Sequence, residues 1–497
     1  MKNTAKCFRA ASMLLAVVMI CTSCGFVKWN SGETVPVTEE TDAVVEQKPD
    51  SGEQSTEKLP EPAYDEMEEM RGRLLHIKNY DLSASSVIIA TVDGTTVCPM
   101  TSDGDPVIAA RVDAKRAVEE KFGTTVITRV DDRETMLKDA REAYNSDMYY
   151  ADLLAPHAED VGLFYAEGLL ANLYSLPHVN FDAEYYDSDV FSAAVAGDGI
   201  YAVSGAANFN PEYLCCVFYN RTLAETLNMG DLTALVKNGL WTFDKYGELA
   251  KLASASLGIS GHGSAYELSG YTEMLAISQG VEYMSNGVGT LPVVDYLEDT
   301  KAERTKSVVD RISGLIYSDN TFTKSEGDDC RLQFTAQTLM FSVDSLYFSQ
   351  WISDNSVEWG LLPLPKYDEG EEQYRTPMSS QAPVFCALAN TPGYETSGLI
   401  LESLNAASHR YTLGAYRNYM IDYVLRDSGS ISMLDIICDS AVYDFAHMYA
   451  SGISSLDAAT YDALYKAVST KRSIDSYYKN YKGTVNRAIS ASVYVSK

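Results

Sequence analysis

Positive charge is scarce in this 497-residue sequence: 39 Lys and Arg stand against 69 Asp and Glu, a formal net charge of −30. Nucleic acid and anionic lipid surfaces are bound by basic stripes that displace counterions, and no such stripe is present, so nucleic acid is excluded as a partner. Histidine is nearly as rare. The six residues (76, 157, 178, 262, 409 and 447) show no metal-ligand spacing, and no His-Glu-x-x-His occurs. There is no Gly-Lys pair and hence no P-loop, and no Gly-x-Ser-x-Gly elbow. Gly287-Val288-Gly289 runs into Leu291-Pro292 where a dinucleotide fingerprint needs its third glycine. No metal and no cofactor are expected. Asp103-Gly104-Asp105 lacks the later ligands of a calcium loop and reads as a turn. Carboxylates are abundant, but no spacing singles out a glycosidase-like pair.

Hydrophobic residues make up 46% of the chain and charged residues 22%, enough for a packed core. The length predicts two or three domains, or two lobes sharing one hinge. With 34 Tyr, 15 Phe and 4 Trp, aromatic rings are the commonest candidates for contact surfaces.

The N-terminus reads as an export signal. Lys2, Lys6 and Arg9 precede an apolar stretch from Ala10 to Ile20 that is too short to span a bilayer. It ends in Cys21-Thr22-Ser23-Cys24-Gly25, which resembles the lipobox of bacterial lipoproteins. That resemblance implies lipidation of Cys24 and a mature protein anchored to the cell membrane, facing the extracellular side. A plainly cleaved signal peptide over 1–24 is the simpler alternative. From Gly25 to Met70, thirteen acidic residues and three basic ones are interleaved with Ser, Thr, Pro and Gly, as expected of a solvated tether. Setting aside Cys7, Cys21 and Cys24 leaves six widely spaced cysteines, which form no disulfide framework of the small-domain kind. Cys215 and Cys216 lie in an apolar stretch and are expected to pack as small hydrophobes.

The body predicts an α/β fold. Ser86–Val92 is a short β-branched run of the buried parallel-strand type. Apolar residues from Ala110 to Phe122 recur at helical spacing, with Gly123 as the stop. Thr125–Val130 and Tyr150–Ala155 are further strands, with a helix between them starting near Asp131 or Asp132. This order favours a parallel sheet with helices on both faces, whose ligands meet loops at the carboxyl ends of the strands. Later, Thr242 is a candidate N-cap for a helix through Ala253, Thr338–Val343 and Trp359–Leu364 are apolar runs, and Thr396–His409 and Ala415–Arg426 read as helices.

Between Gly199 and Ala253 the chain carries Gly199-Ile200-Tyr201-Ala202-Val203, then Val217-Phe218-Tyr219-Asn220-Arg221, then Leu235 through Trp241-Thr242-Phe243-Asp244. With Val118-Glu119-Glu120-Lys121-Phe122-Gly123 before them, and Leu339-Met340-Phe341 and Trp359-Gly360-Leu361-Leu362-Pro363-Leu364-Pro365 after, these segments resemble the sugar-type bacterial extracellular solute-binding proteins. Those are the substrate-binding lipoproteins of ABC importers. The resemblance spans about four-fifths of the chain. It implies two α/β lobes, each a sheet flanked by helices, joined by a multi-strand hinge. The first lobe would hold 71–205 and 380–425, the second 206–379 and 426–497, with crossings near Ala206 to Pro211, Met378 to Pro383 and Arg426 to Ser430.

The same resemblance implies a non-enzymatic protein, acting as a monomer, that captures a carbohydrate or oligosaccharide and delivers it to ABC permease subunits. Asp93 and Thr95, after the first strand, and His157, after the third, are placed toward the cleft by topology. Trp241, Tyr347 and the crossing residues Ser379 and Ser380 complete the expected ligand-binding set. Each has a plainer reading. Trp241 can seal its helix against the sheet, Asp93, Thr95 and His157 can be solvated loop residues, and Ser379 and Ser380, with Gln381, can cap the crossing. Trp351 and Trp359 are expected in the core. Two other functions fit the lobes: presenting ligand to a membrane sensor kinase, or a surface carbohydrate-active enzyme.

Overall fold

The computed structural model describes residues 64–83, 85–186, 193–317, 321–353, 355–425 and 427–495. The signal, Cys24 and most of the acidic tract lie outside them, as does residue 426 of the third expected crossing. The end of the tract expected as tether through Met70 is instead helical, Tyr64–Arg73, and packs on the first lobe with Met70 buried, because its apolar residues find a core there.

The first lobe is built on a parallel sheet in which Ser86–Thr91 lies between Thr125–Val130 and Leu153–Ala155. The helix Pro106–Phe122 connects the first two of these strands. Asp105 opens it by accepting from the backbone N–H groups of Val107 and Ile108, and Gly123 closes it with φ 63°. Asp132 caps the next helix, Arg133–Asn145, in the same way. The chain returns to this sheet much later. Cys386 exchanges both backbone hydrogen bonds with Leu154 at 2.8 Å, and Phe385 pairs with Val203 on its other side. The helix Tyr394–Ser408, almost wholly buried, then covers the helix Pro106–Phe122.

The second lobe is a mixed four-stranded sheet, with strands in the order Trp359–Leu362, Cys215–Asn220, Leu339–Ser345 and Ser260–Ser264. Its central strands are buried on both faces, which is why they read as continuous apolar runs rather than alternating ones. Cys215 and Cys216 sit within it as unpaired, fully buried thiols, and all six cysteines of the described residues are free and buried.

The lobes are joined by crossings tied to one another. The Asn208 side chain donates to the Pro383 carbonyl at 2.7 Å, and Asn210 reaches Thr96 of the first lobe at 3.0 Å. The Ser379 N–H donates to the Tyr213 carbonyl at 2.9 Å, and Thr376–Pro377 pairs in parallel with Ala441–Val442. A third crossing lies within helix. Tyr411–Tyr419 packs on the first lobe, and the π-helical turn Met420–Val424 that continues it touches Phe348–Ser353 of the second. This is several residues before the expected Arg426–Ser430. Beyond Val442, the short helix Phe445–Tyr449 turns back onto the first lobe, against Val161–Ala166. The approach is close: a Cβ on Gly162 would meet the Tyr449 carbonyl oxygen at 2.6 Å. The final helices, Tyr461–Thr470 and Ile474–Val495, then pack mainly on the second lobe.

Candidate functional site

Where the strands of the two lobes end, the loops face each other across an open cleft of about 630 Å³. Five of the seven expected ligand residues line it: Asp93, Thr95, His157, Tyr347 and Ser379. Asp93 ends the strand Ser86–Thr91 in a tight turn. Its Oδ1 accepts from the Thr95 N–H (2.9 Å), the Thr95 hydroxyl (2.7 Å) and the Thr96 N–H (3.0 Å), while Oδ2 accepts from the Tyr213 hydroxyl at 3.0 Å. Burial pushes its pKa upward, but the hydrogen bonds from Thr96 and Thr95 outweigh this and hold the carboxyl below its ordinary range. His157 follows the strand Leu153–Ala155 and is half-buried. Burial lowers its pKa against the pull of Asp160 and Glu159, so the imidazole enters the cleft as a neutral donor and acceptor at pH 7.

Tyr347 is 54% exposed and held by backbone, its N–H donating to the Glu212 carbonyl at 3.2 Å. Ser379 accepts from the Gln381 N–H at 3.3 Å while lining the cleft. Ser380 turns away. Its hydroxyl donates to Glu159 Oε2 at 2.7 Å and its carbonyl accepts the Glu159 N–H at 3.0 Å, so it secures the crossing to the first lobe. Trp241 is in the core of the second lobe, not in the cleft. It is fully buried, donates Nε1–H to the Pro363 carbonyl at 2.8 Å and packs against Tyr246 and Phe341. A bulky ring immediately before an N-cap closes that helix onto its sheet. Trp359 is buried as expected, but Trp351 is 43% exposed, with one face stacked on Phe348.

The cleft also holds residues that the sequence did not single out. Arg331 binds Asp344 through Nε (2.7 Å) and Nη2 (3.0 Å) and Asp328 through Nη1 (3.1 Å). Burial raises the Asp344 pKa, and Arg331 pulls it back. Glu212 takes hydrogen bonds from the side chains of Gln350 and Asn210. Burial raises it too, opposed by Arg111 and Asn210. Tyr213 and Tyr266 join Tyr347 as aromatic walls. Only the Asp344-Ser345 pair, just before Tyr347, lay near a recognisable signal. Arg331, Glu212 and Tyr266 come from separate elements and meet only through the fold. Among the described residues, no group of three or more His, Cys, Asp or Glu is placed to hold a metal ion.

No protein-family model and no curated protein matches the sequence. Solved structures do match its shape. The GacH receptor of Streptomyces glaucescens, determined unliganded and with acarbose and an acarbose homolog, is 13% identical with a TM-score of 0.52, covering 82% of this chain and 99% of that one. A cyclo/maltodextrin-binding protein complexed with maltotetraose is 15% identical with a TM-score of 0.53, covering 83% and 96%. The cyclic alpha-maltosyl-1,6-maltose binding protein from Arthrobacter globiformis is 13% identical with a TM-score of 0.55, covering 82% and 99%. The fold is the two-lobed fold of the maltose-binding-protein type. Two of these similar proteins are named as binding proteins and the third as a receptor.

Proposed function

We propose that this protein is an extracytoplasmic solute-binding lipoprotein that captures a carbohydrate between its lobes and passes it to the permease of an ABC importer. The observation that carries the reading is the cleft itself. Loops from both lobes converge on about 630 Å³ lined by three tyrosines and several hydrogen-bonding side chains. Flat rings cover the C–H face of a sugar, and carboxylates, amides and imidazole pair with its hydroxyls. Its polar groups are held in place for recognition: Asp93 is fixed by its own turn and Arg331 by Asp344 and Asp328. A ligand touching both lobes only when they close shifts the population toward the closed form, which gives capture and release. The export signal and Cys24 fit a lipid anchor on the outer face of the cell membrane, with the acidic residues before Tyr64 as tether and the body monomeric. A thermal-shift screen of mono- and oligosaccharides, amino acids and peptides tests the reading. A true ligand at a hundred times its dissociation constant adds about 2.7 kcal/mol of stability. Stabilisation by peptides alone, with no sugar active, would overturn it.

A further inference from the structure

The cleft is unevenly charged. Its lining includes three carboxylates; Asp344 is 1% exposed and paired with Arg331, which leaves Asp93 and Glu212 as the charges facing the cleft beside a neutral His157. Arg331 is already committed to two carboxylates, with Nε and Nη2 on Asp344 and Nη1 on Asp328. The second cation nearby is not offered to a ligand. Arg111, on the helix Pro106–Phe122, is 6% exposed and sits behind the turn that Asp93 organises, donating Nη1–H to the Thr95 carbonyl at 3.2 Å. Its Nε and Nη2 are sealed from solvent and have no hydrogen-bond partner. It feels Glu212 and Asp93 most strongly among its charged neighbours, so it acts as a counter-charge on the protein side of those carboxylates.

We infer that the cleft selects its ligand by charge, accepting neutral or ammonium-bearing sugars and rejecting glycosiduronates. The inference rests on the carbohydrate-binding reading and adds to it the chemical class of sugar. A ligand carboxylate would enter a recessed site where like charges already converge and the field is concentrated by the low-dielectric walls. To find compensation it would have to reach Arg111, which requires opening the three hydrogen bonds of the Asp93–Thr96 turn and the one that Tyr213 donates to Asp93. Sugar hydroxyls meet the opposite situation, since they donate to carboxylate lone pairs without adding charge. An ammonium group gains further from the carboxylates and from the faces of Tyr213, Tyr266 and Tyr347.

The test is calorimetric titration of the full-length chain with length-matched sets: neutral oligosaccharides of two to four units, glucosamine oligomers and oligogalacturonates. The expected result is at least tenfold weaker binding of every oligogalacturonate than of the best neutral or amino sugar, with the gap narrowing at high salt. Glu212→Gln keeps an acceptor for Gln350 while removing a charge, so it should narrow the gap at unchanged salt. An oligogalacturonate binding as tightly as its neutral counterpart would overturn charge selection and leave the carbohydrate reading standing. A gap indifferent to both salt and Glu212→Gln would overturn it as well. Binding by no sugar of any charge would instead bring down the carbohydrate reading, and this inference with it.

Discussion

Tyr347 and Trp241 illustrate how differently two aromatic residues near one site can be used. Tyr347 is held by its backbone and leaves half its ring exposed, so replacing it with alanine removes little from the folded core. Tyr347→Ala should weaken ligand binding by about 1–3 kcal/mol through lost stacking and apolar contact while leaving the melting temperature of the empty protein nearly unchanged. Titration calorimetry beside a thermal melt checks both halves, and an unfolded variant would show the ring to be structural. Trp241→Ala should do the reverse. It empties a fully buried site and orphans the Pro363 carbonyl, costing about 3–5 kcal/mol of stability as read by urea unfolding, with ligand affinity retained in the folded fraction. At this scale the sequence was half legible. Asp93, Thr95 and His157 line the cleft because strand ends place them there, a matter of topology and not of residue type. Arg331, Glu212 and Tyr266 carry no local signature, and at Trp241 the plainer reading, a ring sealing its helix against the sheet, is the one the structure shows.

Among the elements, the strands and capped helices were the most readable, because their signals are local. Thr125–Val130 has the expected limits, and Thr242 caps Phe243–Leu257 by accepting the Lys245 N–H at 3.3 Å. The helix expected over Ala415–Arg426 instead starts at Tyr411 and widens into the π turn Met420–Val424 as it passes between lobes. Tertiary contact on both sides overrides periodicity there. The return of Phe445–Tyr449 to the first lobe was not legible either, since a five-residue helix has no period to read. That helix carries a buried ion pair between His447 Nε2 and Glu273 Oε1 at 2.7 Å, linking it to Leu268–Ser278 of the second lobe. Burial alone would lower the His447 pKa, but Glu273 and Asp444 beside it raise it to about 9, with Glu159 adding to the same field. The folded state therefore holds a proton that the unfolded chain releases near pH 6.5, so the stabilisation is complete below that pH and lost as pH rises through about 9. Urea midpoints should fall between pH 7 and pH 9.5, and His447→Gln should flatten that slope. His262 titrates in the opposite sense. Burial lowers it to about 4, so its contribution is lost as pH falls from about 6.5 toward 4, where the unfolded chain takes up the proton first.

For the whole molecule, the two-lobed plan was visible in the order and spacing of short segments, and the hinge was less so, because a crossing is defined by partners distant in sequence. The crossings sit close together, tied by Asn208 to Pro383, Ser379 to Tyr213 and Thr376–Pro377 to Ala441–Val442, so they can serve as one pivot. The crossing residues Asn210, Tyr213 and Ser379 line the cleft, and its opposite walls belong to different lobes: Asp93 and His157 on one, Arg331, Asp344 and Tyr347 on the other. A ligand bridging those walls gains its full set of contacts only when the lobes rotate together, and its differential affinity for the closed form sets how far the equilibrium moves. Small-angle scattering on the full-length chain should therefore show a smaller radius of gyration with a stabilising sugar than without it, and the sugar should be recovered chemically intact. Tyr347→Ala should require more of the same sugar to reach the same compaction, because it weakens the bridge without altering the pivot. Binding with no compaction would remove the closing-lobe mechanism, and recovery of a cleaved or altered sugar would show that the cleft reacts with what it holds.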